Sequence, residues 1–295
     1  MQRFLASGWA SVHGPGEPRR LLLSVLEARF AGLSVAPGPR VVDWPALRGA
    51  AADLPFRFAA VRVSNPLAET SATAGLGSAK DSERRLAVHA IHQAVALARV
   101  VECPVVVVDP GVVPVVGEIE AEDLGDPHYD WTPARVDPLR ARVAVGRNGA
   151  LDRVCRELFA VVRAHPDITF CLTQGRSLRS LAEPRALLDL FEDLGNLRLQ
   201  YWHDAALSAR WQQVAGLAQG EWLETFSNRL RGMTLGDASA DGLYLPPGAG
   251  GVDYALLASY VPRTGQPLPV VVELDVAIPP ADLPGVRSCL DKYGL

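Results

Sequence analysis

The stretch Cys103-Pro-Val-Val-Val-Val-Asp-Pro-Gly111 decides the fold. Its four valines, Val105–Val108, leave no polar face, which is the pattern of a parallel strand covered on both sides. Immediately before it, residues 81–101 carry Val88, Ile91, Val95 and Ala98 at spacings of three and four, making one apolar helical stripe. A helix feeding a buried strand is half of a βαβ unit, and the same alternation extends in both directions. Further strands are expected at Phe4–Ser7, Leu33–Ala36, Phe56–Val63, Ile168–Leu172, Leu197–Tyr201, Met233–Leu235 and Pro269–Leu274. Helices are expected over 18–30, 43–53 (with Asp43 as N-cap), 149–164, 182–194, 207–218 and 252–261, with a weaker pattern over 221–229. Eight short strands alternating with about as many helices predict an α/β fold of the (β/α)8 TIM-barrel type. A doubly wound open sheet would carry a phosphate-binding glycine turn, and neither GxGxxG nor GxxxxGK[ST] occurs. No linker or repeat divides the chain, so residues 1–295 read as one domain. Residues 110–147, rich in Asp and Glu, read as a long loop after the fourth strand, either a lid or a solvated excursion.

Composition narrows the function classes. With 29 basic and 33 acidic side chains the formal charge is −4, which offers no general attraction to phosphate backbones and argues against nucleic-acid binding. Only Lys80 and Lys292 are lysines, and neither reads as the desolvated amine that Schiff-base chemistry needs. The cysteines Cys103, Cys155, Cys171 and Cys289 show no CxxC spacing, so they read as free thiols rather than a disulfide or zinc framework. No apolar stretch approaches ~20 residues, so no membrane span is expected and the protein reads as cytoplasmic.

In a barrel, functional side chains come from the C-terminal ends of the strands. Those positions are Ser34, Ser64, Asn65, Asp109, Thr173, Gln174, His203, Asp204, Asp237 and Glu273. His203 stands between Trp202 and Asp204, where it either touches ligand or makes a structural hydrogen bond. Arg176 follows the fifth strand and could pair with an anionic substrate group, while Trp202 and Tyr244 could offer sugar-stacking surfaces. His89 and His92 read as an outer-helix surface pair, and His165 as a cation at a helix end.

The segments Gly77-Ser-Ala-Lys-Asp-Ser-Glu-Arg-Arg85 and Cys103–Gly111 resemble the third and fourth βα units of xylose isomerase-like TIM barrels. That group holds sugar phosphate isomerases, epimerases and endonuclease IV-type enzymes. Tyr201-Trp-His-Asp204 resembles its sixth strand, Leu245-Pro-Pro-Gly-Ala-Gly-Gly-Val-Asp-Tyr254 its loop before the last helix, and Val270-Val-Val-Glu-Leu274 its eighth strand with a closing glutamate. The resemblance implies a divalent metal held by a Glu, an Asp, a His three residues later, and a second Glu. Of these, Asp204 and Glu273 remain. Thr173 stands for the first Glu, and Leu207 (or Ala205 in the alternative alignment) for the His. Asp109, Thr234, Gly236 and Leu243-Tyr244 replace further polar positions of the family. A residual site of this kind implies either no cofactor or a hard cation, Mg²⁺ or Mn²⁺, on Asp204 and Glu273.

The expected activity is proton transfer next to the carbonyl of a small polyhydroxylated, sugar-like compound. Glu273 or Asp204 is the base, His203 the partner acid, and Arg176 or Gln174 the stabiliser of the enediolate oxygen. Asp109, Thr173, Trp202, Asp237 and Tyr244 complete the substrate surface. The alternative is a non-catalytic barrel that binds a ligand or partner; assembly as a homodimer stays open.

Overall fold

In the computed structural model residues 2–64, 75–120, 123–262 and 267–295 are described; Asn65, singled out above, lies outside them. The chain runs β1 (Gln2–Ala6), α1 (Ser7–His13), α2 (Pro18–Glu27), β2 (Gly32–Val35), α3 (Trp44–Ala50), β3 (Arg57–Arg62), α4 (Asp81–Val100), β4 (Val105–Val108), α5 (Pro133–Ala164) and β5 (Thr169–Leu172). It continues α6 (Pro184–Asp193), β6 (Leu199–Asp204), α7 (Ala205–Ala215), α8 (Gly220–Phe226), β7 (Leu230–Leu235), β8 (Asp237–Ser239), β9 (Gly242–Leu245), α9 (Tyr254–Ser259), β10 (Pro269–Val272) and α10 (Leu283–Tyr293). Eight strands close a parallel barrel in the order β1-β10-β7-β6-β5-β4-β3-β2, as the apolar runs predict. All four valines of β4 are buried between the lumen and the helical layer. Asp43 caps α3, accepting from the amide of Ala46 at 3.0 Å.

Register decides which side chains enter the lumen, because alternate residues of a strand face opposite sides. The pairs Asp204↔Thr234, Thr234↔Val271 and Arg62↔Val107, Val107↔Cys171, Cys171↔Gln200 set one face. Arg62, Trp202 and Asp204 therefore point inward, and Thr173, Asp109 and Glu273 continue the same alternation at the C-terminal mouth. Tyr201 and His203 point outward to the helices. Trp202 fills the lumen one layer below Asp204, its indole donating to Thr234 Oγ1 at 2.9 Å and its ring lying over Gly232.

Several elements depart from the sequence reading. Helix α5 begins at Pro133, so residues 133–147 of the expected 110–147 loop are helical. Val136, Leu139 and Val143 continue its buried stripe, and Pro138 sits inside the helix in its second turn. The remaining loop is fastened to the loop after β5 by Val113 N to Arg179 O, 2.8 Å, and Leu124 N to Arg176 O, 2.7 Å. A short helix, α1, follows β1 directly, and β8 and β9 form an antiparallel hairpin over residues read as one strand end and a loop. Strand β6 runs on to Asp204 rather than ending at Tyr201. His89 and His92 are both exposed on α4, as expected, and His92 Nδ1 also lies 2.8 Å from Nε2 of His165, the residue that follows α5. Among the described residues no helix is long and apolar enough to cross a membrane.

Gly232 is a tight requirement of this lumen: a Cβ there would lie 2.3 Å from the Trp202 ring. Gly232→Ala is expected to destabilise the chain by about 1–3 kcal/mol through overpacking, read as a lowered Tm. An unchanged Tm would show that Trp202 does not fill the lumen as described.

Candidate functional site

Three inward strand ends bring their side chains together at the mouth. Arg62 ends β3, Asp204 ends β6 and Glu273 follows β10. Arg62 Nη2 donates to Asp204 Oδ2 at 2.7 Å and Nη1 to Glu273 Oε2 at 3.1 Å. The side chains are 19%, 0% and 18% exposed respectively. Asp204 has two further donors: the amide of Leu207 reaches Oδ1 at 3.1 Å, capping α7, and the Tyr244 hydroxyl reaches Oδ2 at 3.1 Å. A buried carboxylate is tolerated only when its charge is compensated and its lone pairs are filled, and Asp204 meets both conditions.

Tyr244 comes from the hairpin rather than from the barrel. Its backbone sits in the left-handed region at φ 59°, a conformation non-glycine residues rarely adopt. Asp275 N bonds its carbonyl at 2.8 Å, and Gly236 lets the hairpin approach, since a Cβ there would lie 2.6 Å from Glu273 O. Burial first, then Asp204 and Glu273, push the Tyr244 hydroxyl well above its ordinary pKa, so it stays protonated and donates.

The charges shape one another. Burial weakens the guanidinium's hold on its proton, but Glu273, Tyr244 and Asp204 outweigh it and Arg62 stays charged. Burial lifts the Glu273 carboxyl above the ordinary carboxylate range; Arg62 opposes the rise and Asp204 adds to it. Asp109, exposed on the far side of the mouth, is pushed up to about 6 by desolvation against the surrounding chain, opposed by a hydrogen bond from Gly111 N and the charge of Arg62. Thr173 is buried, and among the described residues its hydroxyl Oγ1 has no hydrogen-bond partner. In the strand order β4 and β10 lie four places apart around eight, so Asp109 and Glu273 stand across the mouth from each other.

Other expected site residues are part of the wall. His203, expected as the partner acid, is fully buried and faces the helices. Its Nδ1 lies within hydrogen-bonding distance of the Tyr201 hydroxyl, 2.8 Å, and of the Gln174 amide nitrogen, 3.1 Å, and burial lowers its pKa to about 3. A ring held neutral out of the lumen cannot protonate a substrate there. Gln174 has its other amide atom bonded to Asp204 N at 2.9 Å, so it is a bracket between β5 and β6 rather than an oxyanion donor. Asp237 accepts from Gly248 N and Val252 N, both 2.9 Å, and shapes the Pro-Pro-Gly loop rather than a substrate surface. Trp202, 1% exposed, is lumen filling and offers no stacking face. Arg176 is half-exposed at the rim and held by Asp123 through two bonds of 3.1 and 3.0 Å. Its charge still reaches Glu273 and Tyr244. Arg62 was not among the expected residues. The available signal was an arginine inside the apolar run Phe58–Val63, on the lumen parity.

Among the described residues no three His, Cys, Asp or Glu side chains gather as a metal-binding group. The chain has a (β/α)8 TIM-barrel fold, which it shares with solved structures of sugar epimerases. It superposes on the structure of a D-tagatose 3-epimerase-like protein with TM-score 0.69 and 16% identity over 99% of this chain and 97% of that one. A 3-keto-D-glucoside 4-epimerase from E. coli matches with TM-score 0.67 and 13% identity, over 100% and 99% of the two chains. A D-psicose 3-epimerase from Clostridium cellulolyticum H10, solved with D-tagatose, matches with TM-score 0.67 and 14% identity, over 100% and 98%. No protein-family model matches the chain, and no curated protein does.

The buried His203 makes a pH prediction. Its folded pKa, about 3, lies below the ordinary 6.5, so as pH falls below 6.5 the unfolded chain gains a proton that the folded chain refuses. Stability is therefore lost as pH falls from 6.5 towards 3, by up to about 1.4 kcal/mol per pH unit. Asp109 acts with the opposite sign: its raised pKa favours folding below its ordinary 3.8 and the benefit is lost as pH rises through about 6. Urea unfolding of His203→Gln between pH 4 and 7 should give a shallower acid limb than wild type. Equal slopes would mean that His203 is protonated in the folded chain.

Proposed function

We propose that this chain is a sugar isomerase- or epimerase-like barrel that binds a small polyhydroxylated carbonyl compound at its mouth and moves a proton next to the carbonyl without a metal. The observation that carries this reading is the desolvated Glu273 carboxyl, set against the fixed cation of Arg62. A carboxylate with a raised pKa holds a proton better at neutral pH and so serves better as a general base. In the proposed step Glu273 takes the proton from the carbon beside the carbonyl. The C–H electron pair forms the carbon–carbon double bond, and the carbonyl π pair moves to oxygen as an enediolate. Arg62 and the Tyr244 hydroxyl, 3.5 Å apart, are the groups placed to hold that oxygen. Return of the proton by Glu273 to the former carbonyl carbon, with the hydroxyl proton of the neighbouring carbon passing to the former carbonyl oxygen, leaves the carbonyl on the neighbouring carbon and gives isomerisation. Return to the opposite face of the same carbon gives an epimer and needs an acid across the mouth, and Asp109 with its pKa near 6 stands there. Thr173, whose buried hydroxyl has no partner among the described residues, supports a polar ligand in the same space.

The divalent cation implied by the resemblance does not fit this donor set. Arg62 already bonds both Asp204 and Glu273, no imidazole joins them, and Thr173 stands where a third carboxylate would be needed. The named activities of the similar structures make sugars the substrates to try, although a shared fold does not carry a shared reaction. A second reading, ligand binding without turnover, is favoured by the saturation of Asp204, which leaves Glu273 the one carboxylate of the pair with capacity to spare.

Incubation of the protein with ketohexoses such as D-fructose and D-tagatose in D2O, followed by proton NMR, reads the step as loss of a carbon-bound proton signal. Glu273→Gln should slow that exchange about 10²- to 10⁴-fold with an unchanged fold. A variant as fast as wild type would remove Glu273 from the base role, and binding without exchange in wild type would establish the second reading.

A further inference from the structure

The mouth presents a charge problem that a barrel of this composition has to solve. Asp204 has no exposure and Glu273 little, and both aim into one lumen. Two such carboxylates repel each other and both lose their hydration, so they need a cation between them. A divalent ion would require their oxygens at about 2.0–2.2 Å from one centre. The guanidinium bonds to Asp204 Oδ2 at 2.7 Å and to Glu273 Oε2 at 3.1 Å, the oxygens such an ion would need. Its planar fork suits this task, because it offers separate donors to two carboxylates while holding one charge in place. Beside the pair, Tyr244 Oη and Thr173 Oγ1 are neutral oxygens that add no negative charge for an ion, and the Asp109 carboxyl stands on the opposite side of the mouth.

We propose that Arg62 is the site's resident cation, taking the position and electrostatic role of a divalent ion between Asp204 and Glu273, so that this chain excludes metals there and becomes cation-dependent when Arg62 is removed. This goes beyond the proposed activity and holds whether or not the chain turns over a sugar. The guanidinium and a metal ion are alternatives: each neutralises the same oxygens, and the space between them admits one. Removing the guanidinium leaves a buried anion pair that either an ion or a small guanidinium compound can fill.

The test is a Mn²⁺ titration followed by electron paramagnetic resonance of the free ion, with Tm recorded in parallel. The chains compared are wild type, Arg62→Ala, and Arg62→Ala with Glu273→Gln. Wild type should take up no stoichiometric Mn²⁺ and keep its Tm with or without chelator. Arg62→Ala should melt several degrees lower, regain part of that loss with millimolar Mn²⁺ or methylguanidinium, and bind Mn²⁺ more than tenfold more tightly than wild type. The double variant should lose the Mn²⁺ response, because one of the two carboxylates is gone. One Mn²⁺ bound per wild-type chain would overturn the proposal, as would an Arg62→Ala chain stabilised by neither cation. If Arg62→Ala does not fold, Arg62→Lys keeps a cation in place and should fold and exclude Mn²⁺ as wild type does; stoichiometric Mn²⁺ on that variant would overturn the proposal equally. Failure of the sugar-exchange activity leaves each of these readouts intact, so the two readings fall separately.

Discussion

The bond between Arg62 and Asp204 is the constraint on which the mouth of this barrel depends. Asp204 is fully buried, and a buried carboxylate stripped of its partner costs about 3–5 kcal/mol. The same carboxylate caps α7 through Leu207 N and anchors the Tyr244 hydroxyl, so one side chain ties three elements to the guanidinium. Glu273 is held by the other arm of Arg62 and stays partly open to the mouth. The asymmetry matters chemically: one carboxylate is fixed in its contacts and the other, desolvated but accessible, can change its protonation state.

The surrounding shell exists to hold that arrangement. Gln174 bridges the end of β5 to Asp204 N and to the neutral His203, which sets the height of Asp204 in the barrel. Asp237 folds the Pro-Pro-Gly loop onto its own carboxylate, and this fixes the hairpin that delivers Tyr244. The left-handed backbone at Tyr244 is a local cost borne by a residue whose hydroxyl reaches the buried acid. Buried polar groups placed behind the lumen thus orient the few that face it, as preorganised sites require.

The barrel was legible because its strands are short apolar runs separated by helical periods, and closure follows from having eight of them. What escaped was anything smaller than that pattern. The three- and four-residue strands of the hairpin fall below any periodic signal. Pro138 masked the first turns of α5, although Val136, Leu139 and Val143 carry its stripe. Glu273, Asp204, Asp109 and Thr173 lie at the mouth, as their positions at strand ends led one to expect, and Tyr244 reaches it from the hairpin. Gln174, His203, Asp237 and Trp202 were misplaced because residue parity and depth cannot be set until the register is known, and one residue of slip turns a wall side chain into a lumen one. Arg62 was passed over for the same reason: the end of its strand was read at Ser64, while the lumen position lies two residues earlier.

The central claim is that Arg62 compensates the buried charge of Asp204, and a double-mutant cycle measures it directly. Unfolding free energies of wild type, Arg62→Met, Asp204→Asn and the double variant give the coupling between the two side chains. A coupling of about 2–3 kcal/mol, with the double variant more stable than the sum of the two losses allows, is the predicted result. Additive losses, with coupling below about 0.5 kcal/mol, would show that the two groups do not depend on each other and would contradict the account.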